Sequence, residues 1–143
     1  MAAFKGYLVK FGSVELPNSY IKMDSGNTQT PNQIEDIKAT RTINTRELKR
    51  VVAEGNITSF SLVFRPLTNI QLAALKNVMN NGLVSAAERK YRVTYWNDAN
   101  LRYEQGDFYV PDVTYERMVV YDDHILYNSF TMEFIGYKES VPV

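Results

Sequence analysis

The chain contains no cysteine, which excludes disulfide bridges, zinc sites with cysteine ligands and thiol nucleophiles. Its single histidine, His124, has no companion ligands at metal-site spacing, and we interpret it as a solvated turn residue. Basic and acidic residues number sixteen each, so nothing indicates a nucleic-acid binder driven by net charge. Because no apolar run approaches roughly 18 residues and no signal peptide is recognised, we expect no membrane partner.

A catalytic set is also missing from the sequence. The glycines are isolated, so they form no phosphate-binding loop. Five acidic residues are the candidates for a carboxylate pair that could hydrolyse glycosides: Glu104, Asp107, Asp112, Glu116 and Glu133. Sequence alone brings no two of them together. We therefore predict a protein that is not an enzyme and that binds no metal or other cofactor.

Strand-like alternation surrounds a single helical segment. Apolar and polar residues alternate over residues 60–64 and again over 130–134, which is typical of strands with one face in a core. A chain of 143 residues is about one domain. The sequence therefore predicts one domain over residues 1–143, mainly β with one α-helix, built as an antiparallel β-sandwich or barrel.

The helical segment begins with a capping signal. Thr68 followed by Gln71 matches the capping box S/T-x-x-E/Q, and Gly82 is placed to end the helix. Helical spacing groups the apolar residues into one predicted buried face: Ile70, Ala74, Leu75, Val78 and Met79.

A polar region before residue 50 is the candidate arm. Residues 17–33 are rich in turn signals and poor in apolar residues, which favours a loop or long arm, and residues 34–52 favour a long, partly exposed hairpin or arm. We predict an extended arm or loop at about residues 18–50. Six of its charged residues are the candidate subunit-interface residues: Asp24, Lys38, Arg41, Arg46, Lys49 and Arg50. A phosphate-binding strip is the alternative, but zero net charge favours a solvated or inter-subunit segment.

Four motifs follow one another along the chain. They read Leu67-Thr68-Asn69-Ile70-Gln71, Tyr91-Arg92-Val93-Thr94-Tyr95, Asp107-Phe108-Tyr109-Val110-Pro111-Asp112 and Phe130-Thr131-Met132-Glu133-Phe134-Ile135. In this order, after a strand pair and a polar arm, they resemble the small tail proteins encoded in tail-morphogenesis regions of phages and prophages of Gram-positive bacteria. The resemblance covers residues 4–137.

The resemblance implies a tail-tube-like β-sandwich or barrel with one flanking helix. It further implies a structural virion protein of the tail tube, or an adaptor between tube and baseplate hub. Such a protein would assemble in the bacterial host cytoplasm into a ring, commonly hexameric, and reside in the virion tail. Its partners would be copies of itself and neighbouring tail proteins, with DNA passing through without specific binding.

Two other functions stay open from the sequence. One is a head–tail connector or capsid-associated protein of similar architecture. The other is a carbohydrate- or receptor-binding module that stacks sugars on Tyr95, Trp96 and Tyr103. For the tail assembly, we predict that deleting residues 18–32 leaves a folded monomer that no longer forms rings.

Overall fold

The structure is a computed structural model that describes residues 4–23, 26–41 and 48–143, with side chains described for residues 4–23, 26–33 and 57–143. The described residues form twelve strands and one α-helix, as follows. The elements are β1 (Val9–Phe11), β2 (Val14–Glu15), β3 (Thr28–Arg41), β4 (Leu48–Phe64), β5 (Leu67–Thr68), α1 (Asn69–Asn80), β6 (Leu83–Ser85), β7 (Lys90–Asn97), β8 (Arg102–Tyr109), β9 (Arg117–Val120), β10 (Ile125–Tyr127), β11 (Phe130–Gly136) and β12 (Val141–Pro142). The predicted fold class, mainly β with one helix, is confirmed.

The strands pair antiparallel throughout the part of the chain that the structure describes. The larger sheet has the order β2-β1-β7-β8-β11-β4-β3, with β12 added on β8 and β6 added on β7. A smaller sheet has the order β5-β10-β9. The pair Gly12-Ser13 predicts a small opening hairpin. Strands β1 and β2 form it, and Gly12 in the turn between them has a φ of +60° that glycine adopts without strain.

The larger sheet is strongly curved around one core. Phe60 on β4 and Tyr95 on β7 are three strand positions apart, which would separate them by roughly 14 Å in a flat sheet. Their ring centroids are 5.7 Å apart, and Phe60 also lies 5.2 Å from the ring of Phe108 on β8. The sheet therefore folds over itself in a sandwich-like arrangement, with these aromatic rings between its two halves.

Helix α1 begins as predicted. The Gln71 backbone N–H donates to Thr68 Oγ1 at 3.3 Å, and the Thr68 backbone N–H donates to Gln71 Oε1 at 3.0 Å. Both bonds of the capping box are present. Two N–H groups at the helix start that have no partner within the helix are thereby satisfied.

The predicted buried face of α1 is partly wrong. The side chains that enter the core are Leu72, Leu75 and Met79, while Ile70 is 71% exposed. Two residues along a helix correspond to about 200° of rotation, so Ile70 points away from the side on which Leu72 is buried. Ile70 is apolar, but the helix places its side chain on the exposed side.

Residues 17–23 and 26–33 are built into the fold and do not form a free loop or arm. They include a short 3₁₀ turn at Asn18–Tyr20, and Ile21 is fully buried and bridged to Phe64. From Thr28 onward the chain is strand β3, because polar side chains do not prevent backbone pairing along a sheet edge. These contacts count against the folded monomer predicted for the deletion of residues 18–32, because that deletion removes a core side chain and part of an edge strand.

Two local patterns predict elements that the structure does not have. The apolar residues over 113–121 predict one strand, but the strand there is only Arg117–Val120. Gly106 predicts a bulge, yet β7 and β8 pair without a register shift from Lys90↔Tyr109 to Asn97↔Arg102. Glycine at this position instead leaves room for Ser140, since a Cβ there would come within 2.6 Å of Ser140 Oγ, just before β12.

Candidate subunit interface

Strands β3 and β4 form a long hairpin that extends past the rest of the sheet. Strand β11 pairs with residues 60–64 of β4, whereas β3 pairs with β4 from Ser61 as far as Leu48. In the described residues, the hairpin beyond Ile57 is thus a ribbon of two strands. At about 3.3 Å per residue, it extends roughly 30 Å. The strand pairing confirms the predicted hairpin for the described backbone, residues 34–41 and 48–52.

The basic candidate residues that the structure describes lie near the end of this ribbon. The last four registers are Lys38↔Val51, Ala39↔Arg50, Thr40↔Lys49 and Arg41↔Leu48. The strand pairing therefore collects Lys38, Arg41, Lys49 and Arg50 within four consecutive register positions. Asp24 and Arg46, the other two candidates, lie outside the described residues. Across residues 38–50 the sequence has five basic residues and one acidic residue, so this end of the hairpin is positively charged.

A buried carboxylate lies beside the base of the hairpin. Glu104 on β8 is fully buried and belongs to a network around the β7–β8 turn. Its Oε2 accepts hydrogen bonds from Asn100 Nδ2 at 2.6 Å and from Arg102 Nε at 2.9 Å. Its Oε1 accepts one from Asn97 Nδ2 at 3.3 Å. These donors satisfy a charge that would be costly to bury alone.

The same network holds β3 at the point where the ribbon begins. Asn97 Nδ2 also donates to Asn32 Oδ1 at 3.1 Å, and Asn32 Nδ2 donates to Asn100 Oδ1 at 2.9 Å. The Asn32 backbone N–H donates to Thr58 Oγ1 at 3.3 Å. Asn32 has a φ of +52°, a conformation that asparagine tolerates better than most residues.

A second pair of bonds reinforces this attachment. Gln29 Nε2 donates to the Trp96 carbonyl at 2.8 Å, and Gln29 Oε1 accepts from the Asp98 backbone N–H at 2.8 Å. The residues Asn97-Asp98-Ala99-Asn100 predict a turn from sequence, but not its role in holding β3. The only available signal was the density of asparagine there, because nothing local shows that Glu104 is buried.

The three aromatic residues considered for sugar stacking do not form a joint surface. Tyr95 is 1% exposed and Tyr103 is also buried, while Trp96 is half-buried. The Trp96 ring meets Phe4 edge-on at 5.3 Å, and the Tyr103 hydroxyl donates to the Tyr7 carbonyl at 2.8 Å. Burial raises the pKa of both tyrosines above the ordinary value. These rings serve packing, which counts against the carbohydrate-binding alternative.

Three of the five acidic residues considered for glycoside hydrolysis are each paired with a different arginine. Glu104 is paired with Arg102, and Asp107 is paired with Arg92 at 3.2 Å. Asp112 is paired with Arg89, a contact that raises the pKa of the guanidinium.

His124 is held in its turn by local contacts. Its Nδ1 lies 2.7 Å from Asp123 Oδ1, and its ring stacks on Tyr121 with centroids 4.4 Å apart. The hydrogen bond from His124 is the main cause that lowers the pKa of Asp123, and the charge of His124 is the second. Across the described ranges, no three residues among His, Cys, Asp and Glu are grouped so as to hold a metal ion.

One protein family matches nearly the whole chain. The chain belongs to the family DUF6711, a family of unknown function, whose match covers residues 1–137. A search of curated proteins returned no match. Among the residues that the structure describes, no helix has the length and apolar character needed to cross a membrane.

Proposed function

We propose that this protein is a structural component of a phage tail, either of the tail tube or of the adaptor between tube and baseplate hub. It acts by assembling with copies of itself into a ring that serves as a conduit for DNA. The observation that carries the proposal is the β3–β4 ribbon, which extends roughly 30 Å beyond the strands that support it. The resemblance to small tail proteins supplies the class of assembly.

The ribbon needs a partner on physical grounds. An isolated two-stranded hairpin is marginally stable in water, and each of its outer edges carries unpaired backbone N–H and C=O groups. A neighbouring subunit that pairs with such an edge completes those hydrogen bonds. The base of the ribbon is fixed by the Asn32–Glu104 network, so the ribbon is presented in one direction. Both features suit an arm that reaches an adjacent subunit.

The charge distribution supports a protein contact more than DNA binding. Positive charge is concentrated at the end of the ribbon, while the whole chain has a formal net charge of zero. Basic residues that lined a conduit would bind phosphates and slow the passage of DNA. We therefore place the segment 38–50 at a subunit contact, where an acidic surface of a neighbour pairs with it. The assembled ring would reside in the virion tail, after assembly in the host cytoplasm.

A shortened hairpin tests the role of the ribbon. Gln33 and Ile57 are register partners, so residues 34–56 can be replaced by Asn-Gly, a sequence suited to a two-residue hairpin turn. The variant keeps every described core side chain and both residues that anchor the base, Asn32 and Thr58. We expect a folded monomer where the full chain forms rings, measured by light-scattering mass and negative-stain microscopy. Rings of unchanged diameter from the shortened chain would refute the proposal.

Charge reversal at the ribbon end gives a finer test. The double variant K49E/R50E changes two positions near the last registers of the hairpin. Its matched control is K22E/K138E, which changes the net charge by the same amount at exposed positions on the body. We expect the first variant to weaken assembly and the control to leave it intact. If both double variants lose assembly to the same extent, the effect comes from net charge and not from the end of the ribbon.

A further inference from the structure

Strand β9 presents an unusual run of exposed apolar side chains. All four of its residues are exposed, and Val120 is 66% exposed. The consecutive exposed large apolar residues are Met118, Val119, Val120 and Tyr121. Successive side chains in a strand point to opposite faces, so the apolar surface covers both faces of β9. Exposed apolar patches of this kind mark interaction sites on soluble proteins.

Strand β9 is also an open edge. It forms the end of the smaller sheet, and in the described ranges it pairs with β10 alone. The Tyr121 backbone N–H donates inward to the His124 carbonyl at 2.8 Å, and Val120 is the next residue toward the chain start. Because backbone groups alternate in direction along an antiparallel strand, the N–H and C=O of Val120 point toward the open edge. They are available to another strand.

The charges that flank this run favour a second copy of the chain in one orientation. Arg117 lies at the start of β9, and Asp122 and Asp123 follow its end. Antiparallel pairing of two β9 strands brings Arg117 of each copy toward the aspartates of the other. Parallel pairing would set Arg117 against Arg117 and aspartate against aspartate, which is unfavourable.

We propose that β9 is a two-fold contact at which two copies of this protein pair antiparallel about Val120. The register follows from the backbone, because residues with outward-facing groups must meet one another across an antiparallel pair. Val120 then faces Val120, and Val119 faces Tyr121, a pairing of β-branched and aromatic side chains that stabilises sheets. The register shift opposite Leu126 and Tyr127 interrupts the regular edge beyond Val119, so the ladder is short.

This contact goes beyond the ring proposed above. A two-fold contact uses the same surface on both partners and closes at two copies, whereas a ring needs two different surfaces. The β9 contact therefore joins two protomers, or two rings face to face, independently of the β3–β4 ribbon.

A cysteine placed at the two-fold axis tests the contact directly. The chain has no cysteine, so V120C carries the only thiol. Residues facing each other in a hydrogen-bonded antiparallel pair have Cα atoms about 5.5 Å apart, within the range for a disulfide. We expect oxidation by diamide to link two copies of V120C into a dimer that a reductant reverses. The matched control is V84C, at another exposed strand valine, which should link only at the collision rate.

A second variant tests the contact without cross-linking. In V120K, the lysines of the two copies would lie opposite each other at the two-fold axis and repel. Because Val120 is highly exposed, we expect the variant to fold normally. Sedimentation velocity at rising concentration should show monomer–dimer exchange, or pairing of rings, for the natural chain and for V84K but not for V120K. Equal cross-linking of V120C and V84C, or unchanged association of V120K, would overturn the proposal.

The outcomes separate this inference from the proposed function. If rings form but V120C does not cross-link preferentially, the β9 contact is refuted and the tail-assembly proposal is unaffected. Preferential cross-linking without rings would support the β9 contact and count against the ring.

Discussion

Replacing Glu104 by glutamine removes the buried charge at the base of the hairpin while keeping the shape of the side chain. The carboxylate accepts hydrogen bonds from Asn97, Asn100 and Arg102. In glutamine, an NH2 group replaces one of the two carboxylate oxygens. This NH2 group is a donor and cannot accept the hydrogen bond that the oxygen accepted. At least one of the asparagine bonds is lost, and a buried polar group loses its partner.

The size of the effect follows from these bonds. Hydrogen bonds to a charged group contribute about 1.5–3 kcal/mol each, so the two from asparagines account for about 3–6 kcal/mol. The Arg102 side chain is 42% exposed, so water screens its charge and its bond to the buried carboxylate is left out of this sum. Glutamine also avoids the cost of burying a charge, which offsets part of the loss. We expect the free energy of unfolding to fall by about 2–4 kcal/mol and the melting temperature by roughly 10 °C.

Urea unfolding followed by tryptophan fluorescence measures this directly. Trp96 is the only tryptophan, and its carbonyl already accepts a bond from Gln29 at the hairpin base. The control is Glu133→Gln on β11, an exposed glutamate for which a change below about 0.5 kcal/mol is expected. An E104Q variant within about 0.5 kcal/mol of the natural chain would refute the reasoning about the buried network.

Three further predictions concern stability. Leu75→Ala should lower the free energy of unfolding by about 2–5 kcal/mol in urea titrations, while Ile70→Ala should cost less than about 1 kcal/mol, because only Leu75 is buried. Thr68→Ala removes the helix cap and should cost about 1 kcal/mol in the same assay, whereas Thr68→Ser should restore it. Burial raises the pKa of Tyr95 above 10.0, so the folded state keeps a proton that the unfolded state loses. The free energy of unfolding should therefore fall as the pH rises above about 10, and Tyr95→Phe should reduce that slope.

Much of the fold was predictable because its signals are local. The alternation over residues 60–64 and 130–134 marked two neighbouring core strands, and Thr68 with Gln71 marked the start of the helix. The paired ribbon over residues 34–52 was also anticipated. Each of these depends on residues close together in sequence, where strand period, helix period and capping rules apply.

What could not be predicted depends on distant contacts. Nothing near Glu104 indicates that Asn32, some seventy residues earlier in the chain, lies within the same network. Ile21 sits in a polar stretch, yet it is buried against a strand that comes forty residues later. The open edge at Val120 follows from strand order, since the sequence shows four apolar residues but not which side of β9 lacks a neighbour.

The central claim, that the protein assembles through its β3–β4 ribbon, is tested most directly by one paired measurement. Light-scattering mass and negative-stain microscopy are recorded at rising concentration for the full chain and for the chain in which Asn-Gly replaces residues 34–56. The account predicts rings or tubes of constant diameter from the full chain and a folded monomer or β9-linked dimer from the shortened one. A full chain that never exceeds a dimer, or a shortened chain that forms the same rings, would contradict it.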